Sequence, residues 1–126
     1  MLTATNIVLI DDTADHLELL AEFIGELRPG ANIRLLQNGR QLPQFLESEP
    51  ADLIMMDLMM PSINGFDLVR QVRESGRWPD LPIVAVSGLR QANHQEELLR
   101  AGFSDYVNKP YEVEELATIL DRHLPA

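Results

Sequence analysis

The segment Leu53-Ile54-Met55-Met56-Asp57 is a run of four apolar residues that ends on an acid. Residues 7–12 repeat the pattern, with Ile-Val-Leu-Ile followed by two aspartates, and residues 83–87 read Ile-Val-Ala-Val-Ser. Continuously apolar runs of this length are typical of strands that helices cover on both faces of a parallel sheet. The three segments therefore predict the central strands of an α/β domain.

Two weaker strand signals and several amphipathic stretches complete the pattern. Residues 33–36 mix arginine with apolar residues, and the run at Tyr106-Val107 is short with polar neighbours, as in edge strands. The apolar positions of three predicted helices are Leu17, Leu20, Ile24 and Leu27; Phe66, Val69 and Val72; and Val113, Leu116, Leu120 and Leu124. This alternation predicts a flavodoxin-like (βα)5 doubly wound parallel sheet with strand order 2-1-3-4-5.

Length and composition limit the possible functions. The chain has 126 residues, and we expect one domain over residues 1–126 with no separate output domain. The net charge of −10 argues against nucleic acid and anionic membranes as partners, and the lack of cysteine excludes thiolate chemistry. No apolar run approaches the roughly 20 residues of a membrane span, and residues 1–6 do not resemble a signal peptide. We therefore expect a cytoplasmic protein.

Polar side chains follow four of the predicted strands where each strand ends. Asp11 and Asp12 follow the first, Asp57 the third and Ser87 the fourth, while the fifth leads into Lys109. Because the carboxyl ends of parallel strands meet at one edge of the sheet, these groups are expected to converge.

Each acid alone has a simpler interpretation as a turn residue or helix cap. Three acids gathered without a cation would repel one another, and clustered carboxylates with room for water are what Mg²⁺ prefers. Lys109 is the only lysine among ten basic residues. Its compact ammonium suits a phosphate oxygen. The sequence therefore predicts a Mg²⁺ and phosphate site.

The combined motif resembles the receiver domain of bacterial two-component response regulators, and most closely the single-domain chemotaxis type. The likeness runs from about Asn6 to Leu124. The residues that carry it are Asp11-Asp12, Asp57-Leu58-Met59-Met60-Pro61, Gly65, Ser87, Tyr106 and Lys109-Pro110.

The resemblance implies a role for each matching residue. Asp57 would accept a phosphoryl group, and Ser87 and Lys109 would bind its oxygens. Asp12, Asp57 and the carbonyl of Met59 would be direct Mg²⁺ ligands, with Asp11 acting through water. Tyr106 would be a switch that follows Ser87, and Lys109–Pro110 would be a cis peptide.

The resemblance also implies partners. The phosphoryl donor would be the phosphohistidine of a histidine kinase or phosphotransfer protein. A downstream protein would bind the face formed by helix 4, strand 5 and helix 5. We therefore expect a signalling module rather than an enzyme, acting alone or as a receiver cut from a hybrid kinase or multidomain regulator.

Three alternatives remain open from the residues. A Mg²⁺-dependent phosphohydrolase would typically carry an acid at position 59 and a cap domain, and a flavin-binding protein would need a phosphate loop after strand 1. The third is a receiver that has lost phosphorylation and serves only in docking.

Two further expectations concern the neighbours of the acids. His16, His94 and His123 are predicted to face solvent. The apolar side chains of Met59 and Leu89 flank the predicted path of a hydrolytic water, so a phosphorylated form should be long-lived.

Overall fold

Strands and helices alternate along the chain in the computed structural model, which describes residues 5–61, 63–88 and 94–125. The strands are β1 (Asn6–Ile10), β2 (Asn32–Leu36), β3 (Leu53–Asp57), β4 (Ile83–Ser87) and β5 (Asp105–Asn108). The helices are α1 (Ala14–Leu27), α2 (Leu42–Ser48), α3 (Gly65–Glu74), α4 (His94–Ala101) and α5 (Val113–His123). Within these described ranges no helix is both long and apolar enough to serve as a membrane span.

The five strands form one parallel sheet in the order β2-β1-β3-β4-β5. The predicted flavodoxin-like order is thus confirmed, with the two polar strands at the edges. The order changes direction between β1 and β3, and their carboxyl ends lie side by side. In open α/β sheets such a switch point is where ligands bind.

The sheet carries an apolar layer on each face because successive residues of a strand point to opposite sides. Ile7 and Leu9 are fully buried with residues of α1 and α5. Val8 and Ile10 are also buried, but they pack with residues of α2, α3 and α4. The continuous apolar character of the central strands follows from these two layers.

The predicted helix faces agree with the structure except at the start of α5. Leu17, Leu20 and Ile24 of α1 are buried. Val113, in contrast, is 42% exposed, and Ile119 contributes to the buried face instead. A helical side chain leans toward the preceding turn, and Val113 is the first helical residue, so its side chain extends beyond the helix end.

Asp105 links the start of β5 to the last turn of α5. Its Oδ2 accepts hydrogen bonds from Arg122 Nη1 and, at 3.0 Å, from His123 Nε2, while Oδ1 accepts one from the Tyr106 amide at 2.9 Å. Burial alone would raise the pKa of the Asp105 carboxyl, but these hydrogen bonds and the charge of Arg122 together hold it below its usual value. The expectation that His123 faces solvent is wrong, since its side chain is only 15% exposed.

Replacing the carboxylate in Asp105→Asn should lower the free energy of unfolding at pH 7 by about 1–3 kcal/mol. A folded-state pKa below the unfolded value stabilises the fold above the unfolded pKa, and this contribution disappears as the pH falls through the folded pKa. Urea unfolding at several pH values should therefore show a difference between the proteins that shrinks on acidification. The control Asp67→Asn removes an exposed helical ion pair and should change stability little. Equal stability of Asp105→Asn and wild type at pH 7 would contradict the prediction.

Candidate functional site

The carboxyl ends of four strands bring the predicted site residues to one edge of the sheet. Asp11 follows β1, Asp57 ends β3, Ser87 ends β4 and Lys109 follows β5. The register pairs Asp57 with Val86 across β3 and β4, and the Lys109 amide donates to the Ser87 carbonyl at 2.7 Å. Backbone pairing, rather than side-chain contacts, therefore fixes where these groups emerge.

The Lys109 ammonium is close to the buried carboxylate of Asp11 and the partly buried one of Asp57. Its Nζ is 3.4 Å from Asp11 Oδ2 and 3.7 Å from Asp57 Oδ2. The carboxylate side chains are only 10% and 12% exposed, and that of Lys109 is 28% exposed. Charges this poorly solvated interact more strongly than ion pairs on the surface.

Asp57 has an unfavourable environment for its charge. Burial raises the pKa of the Asp57 carboxyl above its usual value, and the charge of Asp11 raises it further. Three groups oppose this without cancelling it: the Met59 amide, which donates to Oδ1 at 3.2 Å, then Lys109, then His16 in its protonated form. Loss of solvation, more than repulsion by Asp11, therefore disfavours the ionised Asp57 carboxyl.

The loop after Asp57 is shaped by a short bridge and a glycine. Met59 pairs with Asn64 in an antiparallel bridge. A Cβ atom on Gly65 would lie 3.1 Å from the Leu58 Cα and 3.4 Å from the Asp57 carbonyl oxygen. Glycine therefore allows α3 to begin this close to the end of β3 without displacing the Leu58 backbone. The Met59 side chain is 66% exposed at the mouth of the site.

The remaining predicted residues lie around this centre. Asp12 follows Asp11 and is partly exposed, whereas Ser87 is completely buried. Tyr106 on β5 is partly buried and packs against the core layer of α2, α3 and α4. The Lys109–Pro110 peptide bond is cis. Leu89 lies outside the described residues.

A cavity of about 340 Å³ opens beside the carboxylates. Its polar lining includes Asp11, His16, Asp57 and Lys109. Its apolar lining includes Leu20, Phe23, Val86 and Tyr111. A small anionic group could therefore reach Asp57 from this side while contacting the ammonium.

His16 is a site residue that the sequence analysis missed. Its side chain is 54% exposed, but Nδ1 lies 3.5 Å from both Asp11 Oδ2 and Lys109 Nζ. The one available signal was its position in the first turn of α1, four residues after Asp12, which does not indicate a contact with Lys109. The side chain of His94 lies outside the described residues, so that expectation is untested.

The donor set fits a magnesium ion. Asp11, Asp12 and Asp57 with Lys109 give a formal charge of −3 + 1 = −2. Among the described residues no group of three or more His, Asp or Glu side chains could hold a metal by itself. Mg²⁺ does not need such a group, because it usually binds through one or two carboxylates and keeps several waters.

Over residues 7–121 the sequence matches the family described as the response regulator receiver domain. The chain belongs to that family. It is 30% identical to the signal transduction histidine-protein kinase BarA of Escherichia coli over 122 residues, which are 97% of this chain but only 13% of the kinase. An uncharacterized 14.6 kDa protein of Leptolyngbya boryana is also 30% identical, with 97% of this chain and 92% of that protein covered.

A solved structure supports the receiver fold. The chemotaxis protein CheY4 of Vibrio cholerae superposes with a TM-score of 0.86 at 21% identity, covering 97% of this chain and all of the other. Receiver domains are phosphoacceptor signalling modules that interact with histidine kinases or phosphotransfer proteins, and they generally bind Mg²⁺ at the acidic pocket. The predicted family and its general function are therefore confirmed.

Because burial and Asp11 disfavour the ionised form of Asp57, Asp57→Asn should stabilise the metal-free protein. We expect a gain on the order of 1 kcal/mol at pH 7. An acid with a raised folded-state pKa destabilises the fold once the pH exceeds its unfolded pKa, so the gain should fade as the pH drops below that value. Thermal unfolding in EDTA measures the difference.

The matched control for this measurement is Asp52→Asn, which changes an exposed carboxylate just before β3. Its Oδ2 accepts the Asn6 amide at 2.7 Å, and the asparagine carbonyl can keep that hydrogen bond. Unchanged or lower stability of Asp57→Asn at pH 7 would show that the site does not disfavour the ionised form of the Asp57 carboxyl.

Proposed function

We propose that Asp57 is the phosphoacceptor of this receiver domain. An Asp57 carboxylate oxygen attacks the phosphorus of a phosphohistidine, the N–P bond breaks, and its electron pair returns to the imidazole, whose other ring nitrogen carries the proton of the neutral histidine. The products are an aspartyl phosphate on this chain and an unmodified histidine on the partner. Such transfer depends on in-line positioning and on neutralising charge at the equatorial oxygens.

The arrangement of Asp57 and Lys109 is the observation that carries this proposal. Oδ1 of Asp57 accepts the Met59 amide, and Oδ2 lies 3.7 Å from the Lys109 ammonium. A phosphoryl group on the carboxylate would carry its negative oxygens into reach of this cation. Ser87 at the end of the neighbouring strand would supply a hydroxyl donor to another oxygen.

Mg²⁺ would bind to Asp12, Asp57 and the Met59 carbonyl, with Asp11 holding a bound water. When bound, the ion neutralises charge on the transferring group and orients it. Asp11 contacts Lys109 directly, so in this proposal it also fixes the ammonium.

The proposed switch runs from Ser87 to Tyr106 across the β4–β5 pair. Ser87 pairs with Asn108 in the register, and Tyr106 pairs with Ala85. Movement of the Ser87 hydroxyl toward a phosphoryl oxygen would leave space for the Tyr106 ring. A groove lined by Gln95, Tyr106 and Arg122 lies on the adjoining α4–β5–α5 face, where a downstream protein would bind.

The chain resembles both a segment of a long kinase and a small protein of similar length. The proposed phosphoacceptor role is the same in either setting. The comparisons favour neither the phosphohydrolase nor the flavin-binding alternative. The cytoplasmic location and the lack of nucleic-acid or membrane partners stay predictions.

Acetyl phosphate with Mg²⁺ should add one phosphoryl group to the protein, detected by intact mass. Asp57→Asn or EDTA should abolish the addition, because each removes a required element of the site. Asp52→Asn serves as the control and should be labelled like wild type. Labelling that persists in Asp57→Asn would place the acceptor elsewhere.

The exposed Met59 side chain lies two residues after the acceptor and cannot hydrogen-bond a hydrolytic water. The aspartyl phosphate should therefore be long-lived, and Met59→Asn should speed its loss several-fold by offering a polar group to that water. Phosphate release after donor removal, at saturating Mg²⁺, measures both rates. Met59→Leu keeps an apolar side chain and should decay like wild type. Equal rates of aspartyl phosphate loss in wild type, Met59→Asn and Met59→Leu would contradict the role given to Met59.

A further inference from the structure

The Lys109 ammonium has three N–H donors. Among the described residues, three groups that can accept from it lie at similar distances. Asp11 Oδ2 is 3.4 Å away, His16 Nδ1 is 3.5 Å away and Asp57 Oδ2 is 3.7 Å away. Asp11 directly follows β1 and His16 lies on α1. The third is the predicted phosphoacceptor. The contacts to Asp11 and His16 can therefore persist while the third donor engages a group on Asp57.

Asp11 and His16, the two groups that hold the Lys109 ammonium, are themselves held in place. Asp11 Oδ1 accepts the Thr13 amide at 2.9 Å, at the point where α1 begins. His16 lies in the first turn of α1, and the Leu17 amide beside it donates to the Thr13 carbonyl at 3.1 Å. The start of one helix thus fixes both groups.

The chemistry of Nδ1 suits contact with an ammonium. With the imidazole proton on Nε2, Nδ1 presents a lone pair, and Lys109 is the donor. A lysine side chain is flexible and loses considerable rotamer entropy when it is fixed. A second anchor beside Asp11 restricts the ammonium to the position from which it reaches Asp57.

We propose that His16 is a positioning residue for phosphoryl transfer, which acts by holding the Lys109 ammonium through Nδ1. This inference rests on the proposed function of Asp57. His16 contacts Lys109 and Asp11, so its effect on the reaction passes through them. Loss of the Nδ1 contact would leave Lys109 present but less often in place.

Three substitutions at position 16 separate this role from simple packing. In His16→Asn the side-chain amide places a polar atom where Nδ1 lies, whereas in His16→Gln the polar atoms lie one bond further out, nearer the position of Nε2. His16→Leu keeps an apolar side chain of comparable bulk without a polar atom. Glu22→Ala, at an exposed position on α1, is the control away from the site.

The first measurement is independent of phosphorylation and uses the only lysine in the chain. Selective ¹⁵N-lysine labelling gives a single side-chain ammonium signal, measured without Mg²⁺ at constant pH. We expect His16→Asn and Glu22→Ala to keep the wild-type signal. His16→Gln and His16→Leu should shift or broaden it, because the ammonium then exchanges more freely with water.

The second measurement is the rate of phosphoryl incorporation from acetyl phosphate at saturating Mg²⁺. His16→Gln and His16→Leu should be slower by about three-fold, the effect of losing one weak hydrogen bond, because Nζ and Nδ1 are 3.5 Å apart. His16→Asn should stay within about two-fold of wild type by the same reasoning.

The outcomes distinguish the two proposals. Wild-type protein that accepts no phosphoryl group would overturn the proposed function, whatever the ammonium signals show. Wild-type labelling with all three position-16 variants unchanged in rate and signal would overturn the role of His16 alone. A wild-type rate and ammonium signal in His16→Leu, together with changed values in His16→Asn, would show that position 16 acts through packing. That result would also overturn the role proposed for His16.

Discussion

The site depends on one constraint: a parallel sheet gathers the carboxyl ends of neighbouring strands, and with them their charges. Asp11 and Asp57 emerge next to each other because β1 and β3 are paired in register. Both side chains are nearly buried, and the ammonium of Lys109 lies close to both. The raised pKa of Asp57 shows that this ammonium does not fully offset burial and the charge of Asp11. The excess negative charge is what suits the site to Mg²⁺ and to a phosphoryl group that arrives with it.

Strand β5 connects this charged edge to the rest of the molecule. Its first residue, Asp105, is bound to the last turn of α5 by Arg122 and His123. Lys109 follows its last residue and enters the site. Tyr106 lies between these points, on the face proposed for a downstream protein. One short strand therefore links the charged edge, the proposed switch residue Tyr106 and helix α5.

Much of the fold could be predicted because each central strand is apolar without interruption and ends in a polar residue. Segments such as Leu53–Asp57 specify both a buried strand and a site residue at its end. The edge positions of β2 and β5 followed from their polar residues. The order of apolar and polar residues was sufficient to predict these features, because a sheet between two helix layers needs apolar side chains on both of its faces.

The contacts of His16 and His123 could not be predicted, because they join distant parts of the chain. His16 contacts Lys109 across 93 positions, and His123 contacts Asp105 across 18. A lone histidine on a helix gives no periodic signal, and its partner depends on how the helix is rotated against the sheet. The exposure of Val113 has a similar origin, because helical spacing does not show where a helix stops covering the core.

A crystal structure of the protein with Mg²⁺ and beryllofluoride, which mimics a phosphoryl group, tests the central claim most directly. We expect beryllium bonded to an Asp57 carboxylate oxygen, with fluorides contacted by Lys109 Nζ and the Ser87 hydroxyl. Mg²⁺ should bind Asp12, Asp57 and the Met59 carbonyl. Beryllofluoride bound at another residue, or an Asp57 carboxylate left unmodified at saturating Mg²⁺ and beryllofluoride, would contradict the account.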